Sequence, residues 1–560
     1  MHAVQRFRRG HLGRHAAVVL VTAFAPVAAA AQSATPDRID AIERHIRLLE
    51  GELQGLKREL GATRQQLRQS QRDTEQARAQ AQLATQAASQ AQARVAGAPP
   101  PPPPGPPQGW PPGSPPKPAP HVVQTAADQT AGNRLGLESA DGRYSLYPTG
   151  RLHFDVGDYL NYQPASKFAA VQDLNSGVNA RRARLGVTGK FAGDWVYTFI
   201  YDLGGSSDGL PPNSGAPTSG IQIAELTYTG FNRGPVPLFF DIGYMDTQFT
   251  IEQATSTNDI LFPERPAIQV VASNIFADDF RSGMGVRSNN ERYWAGLYLT
   301  GPQSGATHNT GEQVGTWGRA TYQILQDADY SLHLGGDAGA LLKPPAPGGI
   351  RSIILSDRPE IRVDPTAILS TGALGTAANP LQNAVVYGVE GAASWRNLYV
   401  QGEYYHIDVN RQGLATNGFD GGYIEGSWIM TGEQRKYLPA TGAYTNPVPD
   451  HPLAPWDDMW GYGAFELVGR YSTINLNDHF TPGVAPAATS NAVGGGKQTV
   501  YALGLNWYPN TNVRFMLDFL HGDINKKFST AAGGGITGTP LGTPVGGQFD
   551  ALLMRSQFAF

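Results

Sequence analysis

From about residue 134 to the end of the chain, apolar and polar side chains alternate in short runs, and no apolar stretch approaches the ~18 residues of a membrane-crossing helix. Arg151-Leu152-His153-Phe154-Asp155-Val156 alternates in this way, as does Arg182-Ala183-Arg184-Leu185-Gly186-Val187-Thr188-Gly189-Lys190-Phe191. Trp195, Tyr197, Phe199 and Tyr201 take every second position of a third run, with Thr198 and Asp202 between them. A period of two puts successive side chains on opposite faces of a strand. Thirteen further candidates are centred on Leu226, Phe240, Val286, Leu297, Ala320, Leu334, Val389, Val400, Gly426, Leu467, Leu503, Phe515 and Met554, so sixteen strands are expected. Most links between them switch between a short turn, such as 192–194 or 510–512, and a long loop rich in Gly, Pro and Asn, such as 204–220. One face of these strands is aliphatic and aromatic and the other carries Arg, Lys, Glu, Gln and Thr. That pattern is inverted for a soluble sandwich with a dry core, but it fits a closed barrel in lipid, apolar outside and polar within. A soluble β-helix or propeller of this length would carry a repeated sequence unit, and none is found. The expected fold is therefore all-β, a 16-stranded antiparallel transmembrane β-barrel over 134–560.

Three segments precede it. Residues 1–31 combine Arg6, Arg8, Arg9 and Arg14 with an apolar stretch over 16–27 and small residues at 29–31, the layout of a secretory signal peptide. Within 32–97 one heptad register holds from Ile39 to Val95, with Ile39, Ile42, Ile46, Leu49, Leu53, Leu56 and Leu60 in its seams. A sustained 3.5-residue repeat predicts an α-helical coiled coil, and isoleucine at both seams favours three or more strands. Residues 98–133 form a linker whose 99–120 portion holds 14 prolines, a stiff polyproline II spacer.

The composition excludes several function classes. With no cysteine, disulfide frameworks, zinc ribbons and thiol chemistry are impossible. Residues 133–560 hold 28 Lys+Arg against 38 Asp+Glu, which argues against nucleic-acid binding. Gly205-Ser206-Ser207-Asp208-Gly209 matches a nucleophile elbow, but prolines rather than a helix follow it. Gly533–Gly538 fits a dinucleotide motif without the strand and helix such a motif needs. The twelve histidines make no close metal pattern, and Asp450-His451 and Asp457-Asp458 read as solvated loop. No cofactor, metal or catalytic group is expected. Leu552, Met554, Phe558 and Phe560 share one face of a closing strand that stops at phenylalanine, the signal that outer-membrane barrels present to their assembly machinery. The expected location is the outer membrane of a Gram-negative bacterium, with the coiled coil in the periplasm.

Ala180-Arg181-Arg182-Ala183-Arg184-Leu185-Gly186-Val187, Asp194-Trp195 and Tyr201-Asp202-Leu203 resemble the second and third strands of the phosphate-selective porin O and P family. Leu226-Thr227-Tyr228-Thr229-Gly230-Phe231, Glu252-Gln253-Ala254-Thr255-Ser256-Thr257, Glu264-Arg265 and Leu503-Gly504-Leu505-Asn506-Trp507-Tyr508 extend the likeness over most of 140–560. The resemblance implies a homotrimeric channel in outer-membrane lipid, with a third long loop folded into the lumen and arginines lining a path for anions. On the strands, Arg182, Arg184 and Lys190 share one polar face and form one candidate series, Arg281 and Arg287 another, and Arg319 a third; Arg181 joins Arg182 and Arg184 in the cluster that the family position supports. In the inward loop, expected at 247–277, Ser256, Thr257 and Arg265 match the family pattern. Val196, Gln253 and Asn258 stand where phosphate-selective members carry lysine, and Gln222 replaces an acidic residue. Guanidinium forks suit desolvated anions, so the expected function is passive diffusion of small hydrophilic solutes, among them anions such as phosphate. An alternative is an envelope tether that binds peptidoglycan or a periplasmic partner through the coil.

Overall fold

The computed structural model describes residues 121–560 apart from 129–131, 170–173, 205–219, 278–280, 304–310, 485–489 and 529–538. The signal peptide, the coiled coil and the polyproline stretch lie outside the described residues, as do the two glycine motifs and Asp278-Asp279. A hairpin of His121–Asp128 and Gly132–Glu138 comes first, so described structure begins inside the span assigned to the linker.

Sixteen strands follow: β1 (Ser145–Pro164), β2 (Gly177–Phe191), β3 (Trp195–Asp202), β4 (Gly220–Phe231), β5 (Leu238–Met245), β6 (Arg281–Asn289), β7 (Tyr293–Gln303), β8 (Val314–Gln326), β9 (Tyr330–Lys343), β10 (Leu381–Trp395), β11 (Leu398–Arg411), β12 (Asn417–Ile429), β13 (Ala464–Asp478), β14 (Val493–Tyr508), β15 (Val513–Asn525) and β16 (Gly547–Ala559). Each pairs antiparallel with the next, and β16 pairs with β1 from Gly547↔Pro164 to Ala559↔Arg151. The sheet is thus closed, and every strand has two partners, as hydrocarbon demands. All sixteen candidate strand centres fall within these strands.

The outer face is apolar because alternation holds through each strand. Leu297 and Leu503 are 61% and 58% exposed, whereas Trp294 and Asn506, three residues away on the opposite face, are buried. Aromatic rings cluster where strands meet the short turns: Trp195 against Tyr228, Phe231 against Phe240, and Phe465, Trp507 and Phe515 in a stack. This is the interfacial girdle of a membrane barrel. The three-residue turn at 192–194 is tight, with Ala192 and Gly193 both at positive φ, the left-handed backbone that short hairpin turns use to follow strand twist.

Two links break the short–long alternation. The link at 412–416, on the long-loop end, is short, whereas the one at 430–463, on the short-turn end, is long and folds inward. Tyr437 and Tyr444 from it pack together, and the Trp294 indole donates to Ala440 O at 3.1 Å. The interior also departs from an evenly polar lumen. Val386, Ile407, Phe419, Ile474, Val500, Leu520, Phe549 and Leu553 face inward and are buried in two apolar clusters with residues of the 246–280 and 344–380 links. Loops that enter a barrel need a dry wall to dock on, and the arc from β8 to β16 provides it.

Candidate functional site at the lumen constriction

The link between β5 and β6 folds into the barrel, as the sequence led us to expect. It holds two short helices, α1 (Ile251–Ala254) and α2 (Ala267–Asn274). Thr250 caps α1, its hydroxyl accepting from Gln253 N at 2.8 Å. Pro266 starts α2 without a side-chain cap, and Glu360 from the 344–380 link supplies the missing acceptor at Ala267 N, 3.0 Å away.

Arginines of the wall and of the neighbouring inward links hold this loop in place. Arg514 donates to the carbonyls of Asn258, Ile260 and Leu261, and Arg470 to that of Glu264 at 2.7 Å. Arg435 pairs with Glu466 at 2.7 Å and donates to Asp259 O. The main anchor is Glu264. It accepts from Arg181 Nε and Nη2 at 2.7 and 2.9 Å and from Arg555 Nη2 at 2.8 Å, with Arg362 Nε at 3.5 Å. Burial pushes the Glu264 carboxyl up, but the surrounding guanidiniums outweigh this and hold it well below the usual carboxylate range.

The candidate residues fall into three groups. Arg181, Arg182, Arg184, Ser256 and Thr257 come together where the loop meets β1 and β2. There Arg184 pairs with Asp202 at 2.8 Å and lies across the ladder from Arg151, while Arg182 lies across from His153. Arg151 reaches from β1 to the hydroxyls of Thr257 and Ser256. Lys190 continues the Arg182–Arg184 face to the short-turn rim, where it is exposed. Four strands along the same arc of the wall, Arg287 pairs with Asp241 at 3.0 Å, and Arg281 donates to Ala277 O and Asn274 O where the loop rejoins the wall. Arg265 and Arg319 are engaged by backbone and carboxylate: Arg265 donates to Glu252 O and Thr255 O of its own loop, and Arg319 to Glu390 and the carbonyls of Thr441 and Gly442. Of the positions that depart from the family pattern, Gln253 accepts from Gln269 and Asn258 meets His153.

Sequence reasoning missed Arg151, Arg362, Arg555 and their carboxylates Asp155 and Asp357. Arg151 shares a strand face with His153 and Asp155, a signal that was present; Arg362 sits in a link with no periodicity. The inward side of β2–β6 remains partly accessible, with Thr188, Thr198, Glu225, Thr229, Arg287 and Asn289 all half-buried. This accessible side closes down toward Arg184 and Arg182, which are buried. The candidate residues that the inward loop buries are therefore gathered off-centre, where the loop meets the β1–β2 wall.

A closed sixteen-stranded barrel with an apolar exterior, short turns at one end and a long loop folded into its lumen is an outer-membrane pore of the porin type. The chain belongs to the phosphate-selective porin O and P family, which it matches over residues 148–560. Porin O of Pseudomonas aeruginosa is 26% identical over 422 residues, covering 72% of this chain and 89% of that protein. An uncharacterized protein of Caulobacter vibrioides is 26% identical over 387 residues, 68% of each chain. Among solved structures, the outer-membrane protein OmpT of Vibrio cholerae is similar with a TM-score of 0.43 at 9% identity, covering 75% of this chain and 98% of that one.

Proposed function

We propose that this outer-membrane porin passes small hydrophilic solutes by diffusion and favours anions, phosphate among them, at the constriction formed by Arg181, Arg182, Arg184, Ser256 and Thr257. One observation supports the reading: six guanidiniums, of Arg151, Arg181, Arg182, Arg184, Arg362 and Arg555, gather where the inward links meet β1, β2 and β16, and the ion pairs among them use the carboxylates of Asp155, Asp202, Glu264 and Asp357. Guanidinium forks concentrated on one stretch of the wall can replace lost water around an anion. Lys190, Arg281 and Arg287 extend the positive lining away from this point, each nearer a partner or the rim. With Val196, Gln253 and Asn258 in place of lysine, the preference is weaker than a lysine-rich filter would give. Assembly is as a homotrimer in outer-membrane lipid, inserted by the barrel assembly machinery through Phe560, with the coil of 32–97 in the periplasm.

The test is Arg182→Glu with Arg184→Glu, recorded in planar lipid under a salt gradient. The reversal potential should move toward cation preference; an unchanged value would remove the role assigned to these residues.

A further inference from the structure

We propose that an exposed aromatic platform on the 430–463 link is a docking site for the prolyl stretch Pro116-Lys117-Pro118-Ala119-Pro120 of the same chain, and so ties the base of the proline-rich spacer to the short-turn rim of the barrel. Docking there is independent of which solute the pore prefers.

The platform stands on a small hairpin in which Leu453–Ala454 pairs with Met459–Trp460. Its root is fixed to the barrel. Leu453 N donates to Pro509 O at 2.7 Å, Asn510 Nδ2 to Leu453 O at 3.0 Å, and the Trp507 indole to Tyr462 O at 2.9 Å. Gly461 N and Gly463 N bond back to Pro452 O and His451 O, and Asp458 turns the hairpin in a left-handed conformation at φ 57. What this frame carries is left open: Trp460 is 73% and Tyr462 54% exposed, with Met459 exposed beside them. Tyr462 leans on His451, ring centroids 5.3 Å apart, and Trp460 Nε1 donates to Asp458 Oδ1 at 3.3 Å. Large apolar side chains that a rigid backbone holds in the open mark an interaction surface.

Charge and reach select the occupant. Asp457 and Asp458 are exposed next to the indole, and neither has an ion-pair partner among the described residues. Two carboxylates are repelled by the phosphates of a lipid headgroup layer, so the hairpin is not a further piece of the aromatic girdle. They suit a basic peptide, and Lys117 is the one charged residue of 99–120. Prolines at 116, 118 and 120 favour polyproline II, a shape that docks on aromatic side chains and loses little entropy in doing so.

The same chain brings this stretch close. His121 pairs with Glu138, and Glu138 with Ser145 at the short-turn end of β1. β1 pairs with β16, and Ala559 N of β16 bonds to Asn512 O in 509–512, the turn on which the hairpin rests. At ~4.8 Å per strand, the two to three strands between β1 and that turn amount to about 10–15 Å. Five residues of polyproline II cover about 15 Å. The docked link also enters the lumen, where Arg319 holds the carbonyls of Thr441 and Gly442. The spacer is thereby attached to a segment that lines the interior.

The test uses the full-length protein in vesicles of phosphatidylethanolamine and phosphatidylglycerol. The photoreactive residue p-benzoylphenylalanine replaces Tyr462 and, in a separate variant, Met459; heat-modifiable migration verifies that each variant is folded. After irradiation, peptide mass mapping should find an adduct on 116–120 within one chain from at least one of the two positions. Adding Trp460→Ala or Lys117→Glu should each lower its yield about threefold or more, as losing an aromatic anchor or a surface ion pair does. Adducts to lipid, adducts that join two chains, the absence of any adduct on 116–120 from both positions, or a yield that neither added substitution changes would each overturn the proposal.

Discussion

Replacing Glu264 by glutamine tests the structural logic of the constriction most directly. The carboxylate is 3% exposed and accepts three hydrogen bonds of 2.7–2.9 Å from two arginines on opposite sides of the barrel seam. Removing one partner of a buried ion pair costs about 3–5 kcal/mol, because the other charge is left uncompensated. Glutamine keeps the shape and one acceptor, which places the change near the lower bound, about 3 kcal/mol. At ~1.4 kcal/mol per tenfold, the opening equilibrium of the inward loop should rise about a hundredfold. Amide hydrogen exchange reads such local openings, and the signal should appear in Ala267–Asn274, whose first turn is capped from outside the loop. The reversal potential should move further toward anions, since the substitution removes a negative charge from the constriction. A second change, Arg181→Gln, should recover part of the exchange protection. Exchange in 267–274 within threefold of the wild type would refute the reasoning, because the loop would then be held without Glu264.

Two further outcomes are expected. Glu252 in α1 faces Glu425, Glu403 and Gln401 on the wall, with Arg470 and Arg265 as the nearby cations; burial, then Glu425, push its carboxyl up to about 8. The docked loop therefore keeps a proton that the free side chain loses near 4.5, so docking weakens as pH rises from there to about 8 and is flat above. Open-channel noise should grow across that range, Glu252→Gln should abolish the trend, and pH-independent noise in the wild type would contradict the assignment. Gly243 in β5, just before the inward loop, sits at φ 137, and a Cβ there would lie 2.1 Å from Ala224 O. Gly243→Ala should cost about 1–3 kcal/mol or more, seen as a smaller folded, heat-modifiable fraction; an undiminished fraction would count against that backbone constraint.

The strands were legible because lipid imposes one rule on every outward position. Trp195, Tyr197, Phe199 and Tyr201 obey it without interruption, and so do Phe515, Leu517 and Phe519. The inward face follows no single rule. Ile407, Phe419 and Val500 face a docked loop, whereas Thr188 and Thr198 face accessible space, and local alternation does not separate these cases. The Arg181–Arg182–Arg184 cluster could be found from strand parity and family likeness. Its partners could not, since Glu264 lies 83 residues from Arg181 and Asp155 lies 400 from Arg555. The inward course of 430–463 was hidden for the same reason: Arg319 grips its carbonyls across more than a hundred residues. Arg265 shows the limit of residue type as a guide. Its Nε and one Nη go to carbonyls of its own loop, a use that residue type alone does not announce.

The off-centre docking of the inward links divides labour around the cylinder. One arc, β8 to β16, behaves like the interior of a globular protein, where each side chain is committed to fit and mutation is expensive. The other arc, β2 to β6, keeps half-buried polar side chains on its inner face and is bound by fewer packing obligations. A lineage can therefore retune what crosses the envelope by editing a handful of positions on β2–β6 while the scaffold opposite stays intact, so solute preference can drift quickly within an architecture that hardly changes.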